Sequence, residues 1–348
     1  MDRYTVNQSS TEQKPYHPYR SVKDAPTFKS THLGQRKLLA MEIMFLTMHG
    51  FSPNRRTVVI YAGAAPADHT AFLSTLFPSV FFVLVDPEKW NADFATAHPS
   101  LGHSTSSTTP LPIFAISPQI QVHHGYFTDD LAHSLGTLYK DDNVLFISDI
   151  RPTNIEEVAS SIQERNDIVD ENMSMQKRWY TILNSKRTNN VWAMFKFKAD
   201  FERSVTTYLD GALFVQPWAP LRSPELRLIT NVEGSKVYDN KWLEQYCIWF
   251  NEVKRNDVSG SRDPRLNNLV DTLFEHDICH MYLSNLVLPG VAQTPFELMG
   301  LISQELGNKD VSDGLRCFEA GYVPNAARQT KLIQSIVVKD KKYAGQAI

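Results

Sequence analysis

Short and almost wholly apolar runs recur along the chain, and segments with helical periodicity separate them. The clearest runs lie at Arg56 to Tyr61, Val80 to Val85 and Val144 to Asp149. Continuous apolar runs of this length are typical of strands that are buried on both faces of a sheet. Because strands that alternate with helices form parallel sheets, the pattern predicts an α/β protein with a central, mostly parallel sheet flanked by helices.

The remaining segments fit the same architecture. Further strands are predicted at 119–123, 191–198, 213–217 and 226–231, and helices at 38–50, 68–77, 156–185, 242–254 and 266–288. Apolar and polar residues alternate late in the 191–198 run, which predicts a half-exposed strand. We predict an N-terminal arm at 1–32, one main domain at 33–290, and a C-terminal extension with a basic tail at 291–348.

Composition narrows the class of protein. Of the 348 residues, 42% are hydrophobic, which is enough for a substantial core. The absence of any run of about 18 apolar residues predicts no membrane span. The polar N-terminus and three cysteines that cannot all pair predict a cytoplasmic protein with reduced thiols. A formal net charge of -3 means that any RNA site must be a local patch.

Residues suited to ligand binding follow three of the predicted strands. The small-residue turn Tyr61 to Pro66 lets a ligand approach the backbone, although a plain tight turn fits equally well. Asp86 follows about 20 residues later, where an acid commonly accepts hydrogen bonds from ribose hydroxyls. Asp149 ends a third strand, where it either faces the same cleft or caps the next helix. An adenosine-containing ligand fits this pattern, and both NAD and S-adenosylmethionine (SAM) remain open.

Five sequence segments, taken in order and spacing, resemble a known family. They are Gly34 to Leu39, Val58 to Pro66, Ile147 to Arg151, Gln216 to Pro220 and Pro224 to Leu228. The chain is similar there to the poxvirus-type cap-specific mRNA (nucleoside-2'-O-)methyltransferases, which are also processivity subunits of a poly(A) polymerase. The resemblance covers roughly residues 33 to 285.

The resemblance has specific implications for fold and biology. It implies a Rossmann-like SAM-dependent methyltransferase fold, with SAM as cofactor and the capped mRNA 5' end as partner. It also implies a poly(A) polymerase catalytic subunit as a further partner. We expect a viral protein of mRNA processing that acts in the host cytoplasm or the virion.

The resemblance also implies a catalytic tetrad of Lys37, Asp149, Lys196 and Glu225. A lysine can take the proton of a ribose hydroxyl only if its pKa falls well below about 10.4, which a neighbouring cation and burial promote. We expect Lys196 to be the base and Glu225 to orient it. Lys37 and Asp149 would position the hydroxyl and the methyl donor.

The same matching implies a cofactor pocket, with two departures from the family. Its residues are Gln35, Tyr61, Gly63, Ala67, Asp86, Phe127, Thr128 and Asp149. The family has glycine where Ala67 stands, so its methyl group would crowd the methionine end of the ligand. The family has a basic residue where Glu88 stands, so an adenosine contact would be lost.

Cap and RNA contacts are implied at a further set of positions. Phe201 and Tyr19, or Tyr16, would sandwich a methylated guanine, with the Glu244 carboxylate on its edge. Arg203 stands where the family has a second carboxylate, and Asp200 or Glu202 would replace it. The residues expected to touch the RNA backbone are Arg151, Lys198, Ser223 and Arg227.

Three rival interpretations accompany the methyltransferase hypothesis. The chain could be an RNA-holding processivity module without catalysis, or a dehydrogenase, although a GxGxxG motif is missing. The third rival is a metal site at His276, Cys279 and His280, which we interpret instead as helix packing because there is no second ligand pair.

Overall fold

The computed structural model describes residues 4–6, 33–90, 114–117, 119–150, 161–185, 187, 189–220, 223–255, 269–285 and 292–307. The strands are β1 (Thr5–Val6), β2 (Thr57–Ala62), β3 (Val80–Asp86), β4 (Phe114–Ser117), β5 (Ile120–His124), β6 (Asn143–Ser148), β7 (Trp192–Lys198), β8 (Val205–Leu209), β9 (Ala212–Phe214), β10 (Glu225–Thr230) and β11 (Ser235–Asp239). The α-helices are α1 (Gly34–His49), α2 (Thr70–Leu76), α3 (Asp129–Leu138), α4 (Ile162–Asn184), α5 (Asn240–Ile248), α6 (Leu269–Ser284) and α7 (Pro295–Glu305), and a π-helix follows α5 at Trp249–Lys254.

A nine-stranded sheet forms the centre, in the order β1-β9-β10-β7-β6-β2-β3-β5-β4. The five strands from β5 to β7 are parallel, as the alternation of strands and helices predicts. The strands outside them pair antiparallel, which the sequence pattern did not predict. The antiparallel connection from β7 to β10 runs through strands and loops without a crossover helix. Strands β8 and β11 form a separate two-stranded ribbon.

Strand β7 is buried, so the prediction of a half-exposed strand was wrong. Only its first and last residues, Trp192 and Lys198, are partly exposed. The strand lies between β6 and β10, and Tyr180 of α4 packs edge-on against Phe195 at 5.7 Å between ring centroids. The polar residue in its interior, Lys196, is accommodated by ion pairing rather than by solvent.

Packing extends past both predicted domain boundaries. Strand β1 pairs with β9, and the ring of Tyr4 stacks on Phe274 at 3.5 Å, although sequence assigned residues 4–6 to the arm. Helix α7 packs on α6 and buries Leu298, Met299 and Ile302, although sequence assigned it to the extension. Residue 290 is therefore not a packing boundary. The two residues of β1 are too few to show periodicity, whereas the capping box of Thr294 and Glu297 is a sequence signal for the start of α7. None of the described helices is both long and apolar enough to cross a membrane.

Candidate active site

Two neighbouring strands place four charged side chains on one face of the sheet. In the antiparallel pairing of β7 with β10, Glu225 lies opposite Lys198, and Arg227 lies opposite Lys196. Because side chains alternate along a strand, these four residues share a face. The intervening Phe197 is fully buried on the other side. The register therefore assembles a charged surface within the sheet.

The first turn of α1 contributes three consecutive side chains to three different parts of the protein. Gln35 Oε1 lies 2.9 Å from His69 Nδ1, Arg36 Nη2 donates to Glu275 at 2.6 Å, and Lys37 Nζ donates to Glu225 at 3.0 Å. Successive helical residues point about 100° apart, which allows this divergence. The start of the helix is thus held in place on three sides.

An unbroken series of ion pairs joins the four residues of the predicted tetrad. Lys37 Nζ lies 3.0 Å from Glu225 Oε1, which lies 3.7 Å from Arg227 Nη2. Arg227 Nη1 lies 2.5 Å from Asp149 Oδ1, and Asp149 Oδ2 lies 3.2 Å from Lys196 Nζ. The structure therefore brings Lys37, Asp149, Lys196 and Glu225 into one cluster.

The partners within the cluster differ from those we expected. Glu225 pairs with Lys37, and Asp149 pairs with Lys196 through its carboxylate and through its main-chain oxygen, 3.2 Å from Nζ. Asp149 is therefore an acid that contacts Lys196 directly, and the role of Glu225 in orienting Lys196 stays a prediction. The cause is strand order: β6 lies beside β7, so the residue that follows β6 meets the end of Lys196.

The prediction that Arg227 contacts RNA was wrong. Its side chain has no exposed surface, so it cannot lie on an RNA-binding groove in this conformation. Its Nε donates to Gln216 Oε1 at 2.8 Å, and Gln216 Nε2 donates to the Glu225 main-chain oxygen at 3.1 Å. Arg227 instead links Asp149 to Glu225 from within.

The charges of the cluster favour ionised acids. Burial alone would raise the pKa of Asp149, but Arg227 and Lys196 outweigh it and hold this pKa below its ordinary value. Burial would lower the pKa of Arg227, whereas Asp149 and Glu225 raise it far above its ordinary value. Asp149 and Arg227 are therefore both charged at neutral pH. The close contact between Nη1 and Oδ1 joins these two opposite charges in a buried ion pair.

The turn after β2 lies against the end of β6. Gly63 has φ of +82°, and a Cβ atom there would lie 2.9 Å from the carbonyl carbon of Asp149 and from the nitrogen of Ile150. Glycine is therefore required both for the backbone conformation and for the close approach. The turn and Asp149 form one continuous wall of the cleft.

Asp86 holds the far side of the same turn. Its Oδ2 accepts a hydrogen bond from Ala65 N at 3.0 Å, and its Oδ1 accepts one from Glu88 N at 2.8 Å. Burial raises the pKa of Asp86 above its ordinary value, against the effect of these two hydrogen bonds. Each carboxylate oxygen retains a second acceptor position, so the residue suits a ligand hydroxyl.

Ala67 adopts a left-handed backbone conformation, with φ of +62°. This conformation costs a residue with a Cβ about 1–2 kcal/mol, a cost that glycine avoids. We expect Ala67→Gly to raise the free energy of unfolding by about 0.5–1 kcal/mol, after allowing for the greater entropy of glycine in the unfolded chain. Urea denaturation measures the change. Ala64→Gly, in the same turn and without a positive φ, should lower stability, and equal effects of the two would contradict the explanation.

Three other predicted cofactor residues have their side chains committed elsewhere. Tyr61 donates to Glu42 Oε1 at 2.7 Å. The ring of Phe127 packs on Trp179 at 4.9 Å between centroids, and the Thr128 hydroxyl accepts from Leu131 N as the N-cap of α3. These contacts fix the three side chains in place, and the Thr128 hydroxyl keeps its own proton as a donor.

The predicted cap residues lie around α4, β8 and α5. Phe201 is half-buried, and Glu244 is half-buried on α5. Arg203 lies 2.5 Å from Asp170, 3.1 Å from Asp200 and 3.6 Å from Asp167. It borders a cavity of about 210 Å³, whose lining residues are Asp170, Met173, Ser174, Arg203, Val205, Thr206, Thr207 and Tyr208.

Asp200 and Glu202, the acids expected to replace the carboxylate missing at Arg203, differ in their exposure to solvent. Asp200 is buried and accepts hydrogen bonds from Asn166 and from the backbone of Glu202, so it already has internal partners. Glu202 is exposed. Of the RNA-contact set, Lys198 is half-buried, and the half-buried Ser223 accepts from Glu225 N. Tyr19, Tyr16 and Arg151 lie outside the described residues.

The three residues considered for metal binding lie on different sides of helix α6. Cys279 has no exposed surface, whereas His280 is exposed, and the rings of His276 and His280 are 6.5 Å apart. Within the described ranges, no group of three or more His, Cys, Asp or Glu side chains could hold a metal ion.

Sequence reasoning missed several buried polar residues that support the cluster. Glu42, Arg36, Glu275 and Gln216 are almost fully buried. A detectable signal existed for Glu42, because it interrupts the apolar run from Leu39 to Leu46, where a charged residue must find a buried partner. That partner, His69, follows the Gly63 turn and had no distinguishing pattern of its own.

The fold and the site define an α/β protein whose cleft, at the carboxyl ends of parallel strands, holds paired lysines and carboxylates. A family model described as the poly A polymerase regulatory subunit matches residues 10–296. The chain therefore belongs to the poly(A) polymerase regulatory subunit family. This match confirms the resemblance carried by the five sequence segments.

Solved structures include a more distant similarity. The protein is similar to bluetongue virus VP4, described as a multifunctional RNA-capping production line, with a TM-score of 0.41 and 13% sequence identity. The similarity covers 68% of this chain and 34% of that one, so the chain spans only a minor part of its length. No curated protein sequence matches the chain.

Proposed function

We propose that the protein transfers a methyl group from SAM to the ribose 2'-hydroxyl of the first transcribed nucleotide of capped RNA. The observation that carries this proposal is the unbroken series of ion pairs from Lys37 to Lys196 beside the Gly63 turn. This series places two amines, which can take up and release protons, in a cleft at the carboxyl ends of parallel strands. Nucleotide-like ligands commonly bind in such clefts. The central parallel strands fit a Rossmann-like SAM-dependent methyltransferase fold.

The residues at the strand ends fit an adenosine-containing methyl donor. Asp86 retains acceptor capacity for ribose hydroxyls, because each of its carboxylate oxygens accepts one backbone hydrogen bond. The Gly63 turn keeps the wall of the cleft free of side-chain bulk. When bound, SAM supplies an electrophilic methyl group to this site.

Lys196 is the base in this proposal. A ribose hydroxyl is a weak nucleophile and must lose its proton as it attacks, so a neutral amine within reach assists the reaction. Asp149 holds the Lys196 amine through its carboxylate and its main-chain oxygen, both 3.2 Å from Nζ. Lys37, fixed by Glu225, positions the hydroxyl, and much of the rate enhancement comes from this alignment.

The cluster contains more cations than acids. The cations Lys37, Lys196 and Arg227 face two carboxylates, Asp149 and Glu225, so full ionisation leaves one positive charge in excess. An arginine does not release its proton in a protein, so Arg227 serves as a fixed charge and proton transfer is left to a lysine.

Cap and RNA binding complete the proposal. Phe201, Tyr19 and Glu244 would hold the methylated guanine, and Lys198, Ser223 and Arg151 would contact the RNA backbone. Around Arg203 three aspartates outnumber one arginine, which leaves this corner negative and suited to a cationic base. The charge reversal at Arg203 is thus compensated by its neighbours.

Calorimetric titration tests the ligand. We expect the wild-type protein to bind S-adenosylhomocysteine, the demethylated product of SAM, and not to bind NAD. The reason is that the turn lacks the glycine pattern that cradles a pyrophosphate. Binding of NAD without S-adenosylhomocysteine would contradict the proposal and favour the dehydrogenase.

A second function is supported by the family to which the chain belongs. A poly(A) polymerase regulatory subunit family model covers residues 10–296, so we propose a poly(A) polymerase catalytic subunit as a partner. Co-purification with candidate polymerases tests this partner. A polymerase that retains its processivity with a Lys196→Met variant would show that the two functions are separable.

A further inference from the structure

A buried chain of polar contacts lies behind the candidate cofactor pocket. Glu42 of α1 has no exposed side-chain surface. Its Oε1 accepts a hydrogen bond from the Tyr61 hydroxyl at 2.7 Å, and its Oε2 lies 2.6 Å from His69 Nε2. The other ring nitrogen, His69 Nδ1, lies 2.9 Å from Gln35 Oε1. The chain links α1, β2 and the segment that leads into α2.

Burying the carboxylate of Glu42 and the imidazole of His69 costs free energy that other interactions must offset. An uncompensated buried charge costs several kcal/mol, so such groups are retained only when they are paired. The two ends of this chain, Gln35 and Tyr61, are residues of the candidate cofactor pocket. Its middle, Glu42 and His69, has no part in the proton transfer proposed for Lys196.

We propose that Glu42 and His69 are positioning residues of the methyl-donor pocket, in which a protonated His69 holds the Gln35 amide so that its nitrogen can bind the carboxylate of the donor. This inference rests on the proposed function. With Oε1 directed to the imidazole, Gln35 Nε2 is left as a donor, and it has no hydrogen bond to any described residue. A carboxylate is the anionic acceptor that the donor molecule provides.

Both ring nitrogens of His69 face oxygen atoms. Nδ1 faces the amide oxygen of Gln35 and Nε2 faces a carboxylate oxygen of Glu42, so a ring protonated on both nitrogens donates to both when Glu42 is ionised. The groups that face the ring are Glu42 from α1, Asp68 from the preceding turn and Asp149 from the end of β6. Burial would lower the pKa of His69, but Glu42 and then the two aspartates outweigh it, so this pKa is raised.

The sign of the pH dependence follows. A raised pKa in the folded state means that the stabilisation is present at low pH and is lost as the pH rises through that pKa. Tyr61 does not compete for this change, because burial and then Glu42 raise its pKa well above the ordinary value. Affinity for the donor should therefore weaken at alkaline pH when His69 releases its proton.

Titration calorimetry with S-adenosylhomocysteine tests the inference, with His69→Gln as the variant and His133→Gln, at an exposed position on α3, as the control. We expect His69→Gln to raise Kd by about 10- to 100-fold, the equivalent of one hydrogen bond to a charged group, and to remove the alkaline weakening. The control should match wild type. Circular dichroism checks that each variant is folded.

The outcomes are distinguishable. If wild-type protein does not bind S-adenosylhomocysteine, the proposed function fails, and this inference fails with it. If wild type binds and His69→Gln binds equally well at every pH, the inference alone is overturned. Should the variant not fold, nitrogen NMR of the wild-type ring decides, because two protonated nitrogens at neutral pH support the inference and a single one contradicts it.

Discussion

Replacing Lys196 by methionine is expected to lower the rate constant for methyl transfer by about 10²- to 10⁴-fold, the usual contribution of a general base. The amine of Lys196 is the group that Asp149 holds in the cleft, and methionine cannot accept a proton there. Affinity for S-adenosylhomocysteine should remain measurable, because Gln35, Asp86 and the Gly63 turn are unchanged. A filter assay with labelled SAM and short capped RNA measures the rate.

A matched variant distinguishes the role of Lys196 as a proton acceptor from its role as a positive charge. Lys196→Arg keeps a cation beside Asp149, but a guanidinium does not lose its proton near neutral pH, so this variant should be as slow as Lys196→Met. Lys236→Met, at an exposed position of β11, serves as the surface control and should behave like wild type. An active Lys196→Arg enzyme would show that the residue acts through its charge alone.

Arg36→Met should destabilise the protein by about 3–5 kcal/mol, because it leaves the buried carboxylate of Glu275 without its cation. Arg36 donates to both oxygens of Glu275 at 2.6 Å, and both side chains are almost fully buried. Trp218 Nε1 donates to the same carboxylate. Since the pair joins α1 to α6, its loss also loosens the first turn that carries Lys37. Urea denaturation measures the free energy of unfolding.

Two further variants make this prediction specific to the buried charge. Arg56→Met removes a surface ion pair with Asp142 and should cost no more than about 1 kcal/mol. Adding Glu275→Gln to Arg36→Met removes the orphaned charge while keeping an acceptor for Trp218, and should recover part of the stability. Equal losses for Arg36→Met and Arg56→Met would contradict the assignment of the buried pair.

The sequence predicted the central strands well, because a strand that is buried on both faces is a continuous run of apolar residues. Strands β2, β3 and β6 are runs of apolar residues whose ends fall within a residue of their predicted positions. The strands at the β1 edge of the sheet have no such run. Strand β1 is two residues long, and β9 three, too short for any periodicity to be detected.

The candidate site could be predicted in membership but not in pairing. The resemblance identified the lysines and acids that meet in the cluster. Which acid meets which amine depends on strand order and register, and these placed Asp149 beside Lys196 and Glu225 beside Lys37. Arg227 shows the same limit, because its burial between Asp149 and Glu225 follows from the pairing of β10 with β7.

The position of the transferred methyl group tests the central claim most directly. Capped RNA incubated with the wild-type protein and SAM is digested to nucleosides and analysed by mass spectrometry. We expect one added methyl on the ribose 2'-oxygen of the first transcribed nucleotide, and none with Lys196→Met. A methyl group on a base, or an equal yield with the variant, would contradict the account.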